Sequence, residues 1–172
     1  MTEKLDHRFL EAINENLGIV HKVLRVYFQD AHDREDVLQE MMYQLWRSYP
    51  CFDGRSKFST WMYQVCLNTA LTMKRNQKRK KFESLSWAHY EIAAEMPENK
   101  EEAINLLLDA IAFLSPLNKA IVLLYLESMS YEEIAAIVGL SRSNVSVRLV
   151  RIKKELETQL KEKIKSINNV NT

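Results

Sequence analysis

The segment Tyr131-Glu-Glu-Ile-Ala-Ala-Ile-Val-Gly-Leu-Ser-Arg-Ser-Asn-Val-Ser-Val-Arg-Leu149 carries the most specific chemistry in the chain. Arg142, Ser143, Asn144, Ser146 and Val147 bring donors, acceptors and an apolar tip together, the mixture that reads base edges in a DNA groove. Arg148, Arg151, Lys153 and Lys154 follow with cations that hold phosphates and position a protein without specifying sequence. A second set lies upstream: Phe52-Asp-Gly-Arg55-Ser-Lys57-Phe58-Ser-Thr-Trp61, then Asn68, then Lys74-Arg75 and Lys78-Arg79-Lys-Lys81. Aromatics beside cations suit opened DNA, because a base stacked on an aromatic ring gains about 1–3 kcal/mol while the cations hold the backbone. Before both sets comes an acidic and amide face, Asp33, Asp36, Gln39 and Glu40.

These side chains need helices to aim them. Ala135 is small enough for a second helix to approach, and Gly139 tolerates the positive φ of a tight turn. Leu140 and Val145 supply the apolar contacts at the turn, and Ser141 is a good N-cap for the helix that follows. The offsets predict a helix-turn-helix, with its second helix entering the major groove by its first turns. The plainer alternative is a helical hairpin with a solvated basic face.

Upstream, Phe9, Ile13, Leu17, Val20, Leu24 and Phe28 recur at helical spacing and predict one or two helices ending near Phe28. Asp33 is placed to cap a second helix reaching about Ser48, with Val37, Met41 and Leu45 as its stripe. Pro50 and Asp53-Gly54 break the chain. A third helix starts near Ser59, with Met62, Val65, Cys66, Thr69 and Met73 on one side. Downstream, Ile104, Leu107, Leu108 and Ile111, then Leu117, Ala120, Ile121 and Leu124, mark two helices parted by Ser115-Pro116. Tyr131, Ile134, Ala135 and Val138 mark a third, and Val145, Leu149, Ile152, Leu156 and Leu160 a fourth. From Phe82 to about Ala103 the period is lost, with partial helicity expected around His89–Met96. Ile167–Thr172 reads as a frayed tail.

Each upstream candidate has a structural alternative. Phe58, Trp61 and Val65 are spaced i, i+3 and i+7, which favours a core role for Trp61 over a DNA platform. Asn68 would equally satisfy nearby backbone groups. The Asp33–Glu40 face would ordinarily be solvated. His32, Asp36 and Glu40 repeat every four residues but lack a second ligand cluster, so no metal is expected.

The 172 residues are 47% apolar and 27% charged, with only three glycines and three prolines, and lean to an all-α fold. The net charge of +1 is unevenly spread: residues 1–81 hold 14 cations and 10 acids, 82–110 hold 1 and 7, and 111–172 hold 9 and 6. Two basic modules therefore flank an acidic connector. Cys51 and Cys66 match neither a metal knuckle nor a disulfide framework, and are expected to be reduced thiols. With no secretory signal and no apolar run near the ~20 residues of a membrane span, a soluble cytoplasmic protein without membrane insertion is expected. No nucleophile–base pairing or Gly-rich phosphate loop stands out, so neither enzyme activity nor a cofactor is expected.

Taken together, the two motif sets resemble the extracytoplasmic-function (ECF) group of the sigma-70 family. Region 2 corresponds to about residues 9–81 and region 4 to about 104–160, with a short connector between them. The resemblance implies an all-α chain of two domains, 1–81 and 104–165, joined by the acidic linker 82–103 and followed by a tail from 166. It implies that Asp33, Asp36, Gln39 and Glu40 dock on the β′ clamp helices of core RNA polymerase. Phe52, Arg55, Lys57, Trp61 and Asn68, with Lys74, Arg75, Lys78 and Arg79, would melt and hold the −10 element. The helix carrying Arg142, Ser143, Asn144, Ser146, Val147, Arg148 and Arg151 would read the −35 element, with its domain docked on the β flap. A membrane-linked anti-sigma factor is a common further partner in the family. Ser146 stands where many members have Arg, so a −35 preference does not transfer.

The connector Phe82–Ala103 has 22 residues. Fully extended it reaches roughly 73–79 Å at about 3.3–3.6 Å per residue. Two turns of duplex span roughly 70 Å. Such a tether bridges two promoter elements only when a scaffold extends it, which is a role for polymerase. A conventional helix-turn-helix regulator with a sensing or dimerising N-terminal half is the alternative, and a protein-binding helical adaptor a more distant one.

Overall fold

The computed structural model describes residues 2–81 and 100–170, with seven α-helices, one turn of 3-10 helix and no strand among them. The expected helicity at His89–Met96 lies outside the described residues. The chain divides into two units, Met1–Glu83 and Ser84–Thr172. Among the described residues no helix is long and apolar enough to cross a membrane.

Unit 1 holds α1 (Thr2–Tyr27), α2 (Ala31–Ser48), the 3-10 turn Tyr49–Cys51 and α3 (Phe58–Lys81). The spacing that allowed one or two N-terminal helices resolves as one, with Phe9, Ile13, Val20, Val23 and Leu24 buried along it. Asp33 is not the cap of α2. The helix starts at Ala31, which leaves the Asp33 carboxylate in the first turn, where the helix dipole favours it. Val37, Met41 and Leu45 are buried as expected.

The third helix packs on both others. It therefore buries Met62, Cys66 and Thr69 together with Tyr63, Leu67 and Ala70, a wider face than one stripe, while Val65 and Met73 are half-buried. Each fully buried large apolar side chain contributes about 1.5–3 kcal/mol. Arg34 closes the α1–α2 turn: its Nε donates to the Phe28 carbonyl (2.6 Å) and its Nη2 to that of Gln29 (3.1 Å), satisfying oxygens that the end of α1 leaves open.

Unit 2 holds α4 (Lys100–Ala112), α5 (Pro116–Leu126), α6 (Tyr131–Val138) and α7 (Arg142–Val170). The last four residues of the span read as connector, 100–103, are thus already helical. Ile104 is exposed rather than core, Leu107 and Leu108 are half-buried, Ile111 is buried as expected together with Ala110, and Leu114 is buried just beyond the helix. Ser115 caps α5 by accepting from the Asn118 N–H (3.4 Å), with Pro116 in the first turn where its missing N–H costs nothing. Ser130 and Glu133 form a reciprocal capping box at the start of α6. At the other end the helix runs on to Val170 where a frayed tail was expected: no Gly or Pro follows Arg142, and the Glu157–Lys161 pair at i, i+4 supports the helix. Residues 171–172 lie outside the described residues.

Candidate nucleic-acid interface

In unit 2 the turn chemistry sets the angle of the reading helix. Gly139 has φ 70 and ψ 37, the left-handed region, and its N–H and that of Leu140 both return to the Ala135 carbonyl. Ala135 and Val145 are buried where α6 meets α7, and Leu140 is half-buried beside them. Ser141 caps α7 as expected, its Oγ accepting from the Asn144 N–H (3.3 Å). Ser143, Asn144 and Val147 stand exposed on the first two turns, with Ser146 half-buried.

The cations divide into two groups. Arg151 and Lys154 are exposed. Arg142 is exposed and ion-paired across the turn with Glu132. Arg148 is half-buried and donates from Nη1 to Asn118 Oδ1 (3.3 Å), tying α7 to α5. Lys153 lies over the Tyr125 ring, 4.2 Å from its centroid, and donates to the phenol oxygen (2.9 Å), a bond that raises its pKa and keeps it charged. Of the four cations read as phosphate contacts, two are therefore engaged within the domain.

In unit 1, Phe52, Phe58 and Trp61 form a ring cluster with centroids 5.2–5.6 Å apart, and Tyr49 joins it at 6.1–6.2 Å from Phe58 and Trp61. Phe9 of α1 anchors Tyr49 from below at 5.2 Å. Phe52, Phe58 and Trp61 are all half-buried. Trp61 is thus not fully buried, and Phe52 is packed against its neighbours: each ring is partly covered and partly accessible. The loop between them turns at Gly54 (φ 73), where Asp53 accepts from both the Arg55 N–H (3.1 Å) and its Nε (2.5 Å). These bonds, the backbone one foremost, hold the Asp53 carboxyl below its ordinary pKa. Arg55 and Lys57 are exposed.

Trp61, Gln64, Asn68, Thr72 and Arg75 fall at i, i+3, i+7, i+11 and i+14, so one line on α3 runs from the ring cluster to the cationic end. Asn68 and Arg75 are exposed on it, with Gln64 and Thr72 between the named positions. The line is about 21 Å long at 1.5 Å per residue, room for about six stacked nucleotides at 3.4 Å each. The helix continues through Lys78 and Arg79, whose side chains lie outside the described residues. Lys74 is turned inward: its Nζ sits 4.3 Å from the Phe28 ring centroid and donates to Gln77 Oε1 (3.2 Å). Gln77 in turn donates to Asp33 Oδ2 (3.2 Å), so Asp33 braces α2 against α3.

The remaining docking candidates share the outer face of α2. Asp36 and Gln39 are exposed, and Glu40 is half-buried, accepting from Gln44 (2.7 Å). Tyr43 and Trp46 continue that face, both about half exposed, with ring centroids 6.5 Å apart. Sequence reasoning missed these two. The available signal was their position off the Val37, Met41, Leu45 stripe. Of the two thiols, Cys51 is exposed and Cys66 buried; burial pushes Cys66 up to about 12, so its thiolate is out of reach at neutral pH.

A three-helix unit with an aromatic–amide–cation line, and a four-helix unit with a capped helix-turn-helix, define a two-module DNA-binding protein. Comparison with known proteins narrows this. The family model for Sigma-70 region 2 matches residues 12–80, and that for Sigma-70, region 4, matches 104–156. The ECF RNA polymerase sigma-E factor of Haemophilus influenzae is 31% identical over 75% of each chain, and that of Escherichia coli K12 is 28% identical over 84% of each. Two solved structures share the fold. The sigma factor RpoE in complex with the anti-sigma factor NepR from Bartonella quintana gives a TM-score of 0.72 at 20% identity over 90% of this chain and 97% of that one. CnrH in complex with the cytosolic domain of CnrY gives 0.60 at 21% identity over 91% and 90%. The chain belongs to the ECF group of the sigma-70 family.

Proposed function

We infer that this chain directs promoter-specific transcription initiation as a subunit of RNA polymerase. The carrying observation is the presence in one chain, in this order, of the ring cluster with its Asn68–Arg75 line and a helix-turn-helix with an exposed reading face. Residues 1–81 open the −10 element: Phe52 and Trp61 offer half-open rings to unstacked bases, Asn68 a hydrogen-bonding edge, and Arg55, Lys57, Arg75, Lys78 and Arg79 charge for the backbone. Residues 104–165 read the −35 element through Arg142, Ser143, Asn144, Ser146 and Val147, with Arg151 on phosphate and Arg148 setting the angle of α7 from within. The acidic connector suits a cationic channel built for RNA. The chain itself performs no catalysis, and its place is the cytoplasm, where polymerase and promoter are. An anti-sigma factor is a further partner, a reading supported by the similar RpoE structure, which was captured with one.

Run-off transcription tests this directly. Core polymerase plus the purified chain should yield discrete transcripts from genomic fragments that neither component gives alone. Initiation no higher than with core alone would defeat the reading, whereas a conventional regulator gives that result.

Docking on the clamp falls to the outer face of α2, where Asp36 and Gln39 meet polar partners and Tyr43 and Trp46 supply apolar area. Reversal of an exposed charge at such a rim acts mainly through repulsion and on-rate. Asp36→Arg should therefore weaken core binding by about fivefold, on the order of 1 kcal/mol, with most of the change in association rate. Titration of labelled protein with core at low and moderate salt measures it. Unchanged affinity at low salt would remove α2 from the clamp contact.

A further inference from the structure

The reading helix exposes two valines that its own packing does not use. Val145, Leu149 and Ile152 fill the core side of α7, while Val147 is 51% and Val150 68% exposed. Exposed single apolar residues are ordinary, but these two are spaced i, i+3 on one face, with Asn144 at i−3 of Val147 and Arg151 at i+4. Lys154 stands at i+4 of Val150, and Asn144, Arg151 and Lys154 are all exposed. An apolar protein partner covering the valines would bury those polar groups as well. A DNA major groove would not: phosphates take the cations, base edges take the amide, and the one apolar group displayed there is the thymine 5-methyl.

We propose that Val147 and Val150 recognise thymine methyl groups, so that this helix selects an upstream promoter element containing thymine at two positions. The inference rests on the assignment of α7 to −35 readout and adds the ligand chemistry. A valine in a helix has one strongly preferred χ1 rotamer, so its γ-methyls are presented with little entropy left to lose. Three residues along the helix are about 4.5 Å, between one and two base-pair steps of about 3.4 Å, which places the two thymines at neighbouring or next-but-one positions. Ser146, which precedes Val147, is small and half-buried and adds no bulk beside it.

The test uses holoenzyme reconstituted from the full chain and core polymerase. Promoters are selected from a pool randomised upstream, and each thymine of the selected element is then replaced by deoxyuridine, which removes the methyl and nothing else. One or two replacements should weaken promoter binding about fourfold, the size of one buried methyl group. Val147→Ala and Val150→Ala should show the same loss on the thymine promoter and no additional loss on its uracil counterpart. Both sites are exposed, so the variants should fold, and unchanged melting curves verify it. A selected element without thymine, a uracil series without effect, or a loss that persists in both valine variants overturns the inference. If no upstream sequence is enriched at all, the assignment of α7 to −35 readout fails and the inference falls with it.

Discussion

Holoenzyme carrying Phe52→Ala should open duplex promoters about 5- to 150-fold less well than the native form, the equivalent of one lost base stack at about 1–3 kcal/mol. The geometry dictates the choice of residue. Phe52 packs edge-on against Phe58 at 5.6 Å and tilted against Trp61 at 5.3 Å, so its ring is pre-oriented while only half-buried. A ring held this way loses little entropy when a base leaves the duplex to stack on it. The deficit should disappear on a template whose −10 segment is already unpaired, since unstacking is then no longer part of the reaction. Binding to core should be unchanged. Truncation of a half-buried ring also loosens the cluster, so Asn68→Ala is the cleaner companion: Asn68 is exposed, and its removal should leave stability within about 0.5 kcal/mol. It should show the same split between duplex and pre-opened templates, with a smaller amplitude. Permanganate reactivity of the opened strand and abortive initiation rates report the two steps separately. Equal losses on both templates, or a matching loss in core binding, would take Phe52 and Asn68 out of strand opening.

The parts of this site that were legible beforehand depend on short-range rules. Gly139 and Ser141 act through bonds three to five residues away, so type and offset alone announce the helix-turn-helix. The stripes of α2 and α7 follow from periodicity for the same reason. What stayed hidden was settled by partners far along the chain. Arg148, Lys153 and Lys74 read as phosphate contacts because they are cations in basic stretches. Their bonds to Asn118, 30 residues away, and Tyr125, 28 away, and the contact with Phe28 exist only once helices pack. The ring cluster is similar: Phe9, Tyr49, Phe52, Phe58 and Trp61 come from α1, the 3-10 turn, the loop and α3. Local spacing therefore suggested a core Trp61, where the fold gives it an intermediate place. Such cations still contribute to the surface potential, but as fixed positioning elements of the domain rather than as mobile contacts.

The turn that aims α7 yields a pair of expectations with opposite signs. Gly139 ends α6 in the left-handed region at φ 70, and a Cβ there would meet nothing within 4 Å. Any cost of Gly139→Ala is therefore backbone strain alone, about 1–2 kcal/mol for an L residue. Ser128 occupies the equivalent place after α5, at φ 60, with the Met129 N–H returning to the Leu124 carbonyl (3.3 Å) and its own N–H to that of Tyr125 (3.0 Å). The same device thus occurs twice, once with the residue that suits it and once with a residue that is strained by it. Ser128→Gly should relieve that strain and, after the greater chain entropy of glycine is deducted, stabilise unit 2 by about 0.5–1 kcal/mol. Urea unfolding of the full chain, followed through the helix signal, measures both. The functional consequences differ as well. Gly139→Ala moves the start of the reading helix, so it should weaken use of the −35 element while opening of a promoter through unit 1 persists on a pre-unpaired template. Ser128→Gly lies in the turn between α5 and α6, outside the residues assigned to −35 reading, and should leave promoter choice unchanged. If Gly139→Ala proved neutral, or Ser128→Gly destabilising, left-handed backbone geometry would not be what holds these two turns.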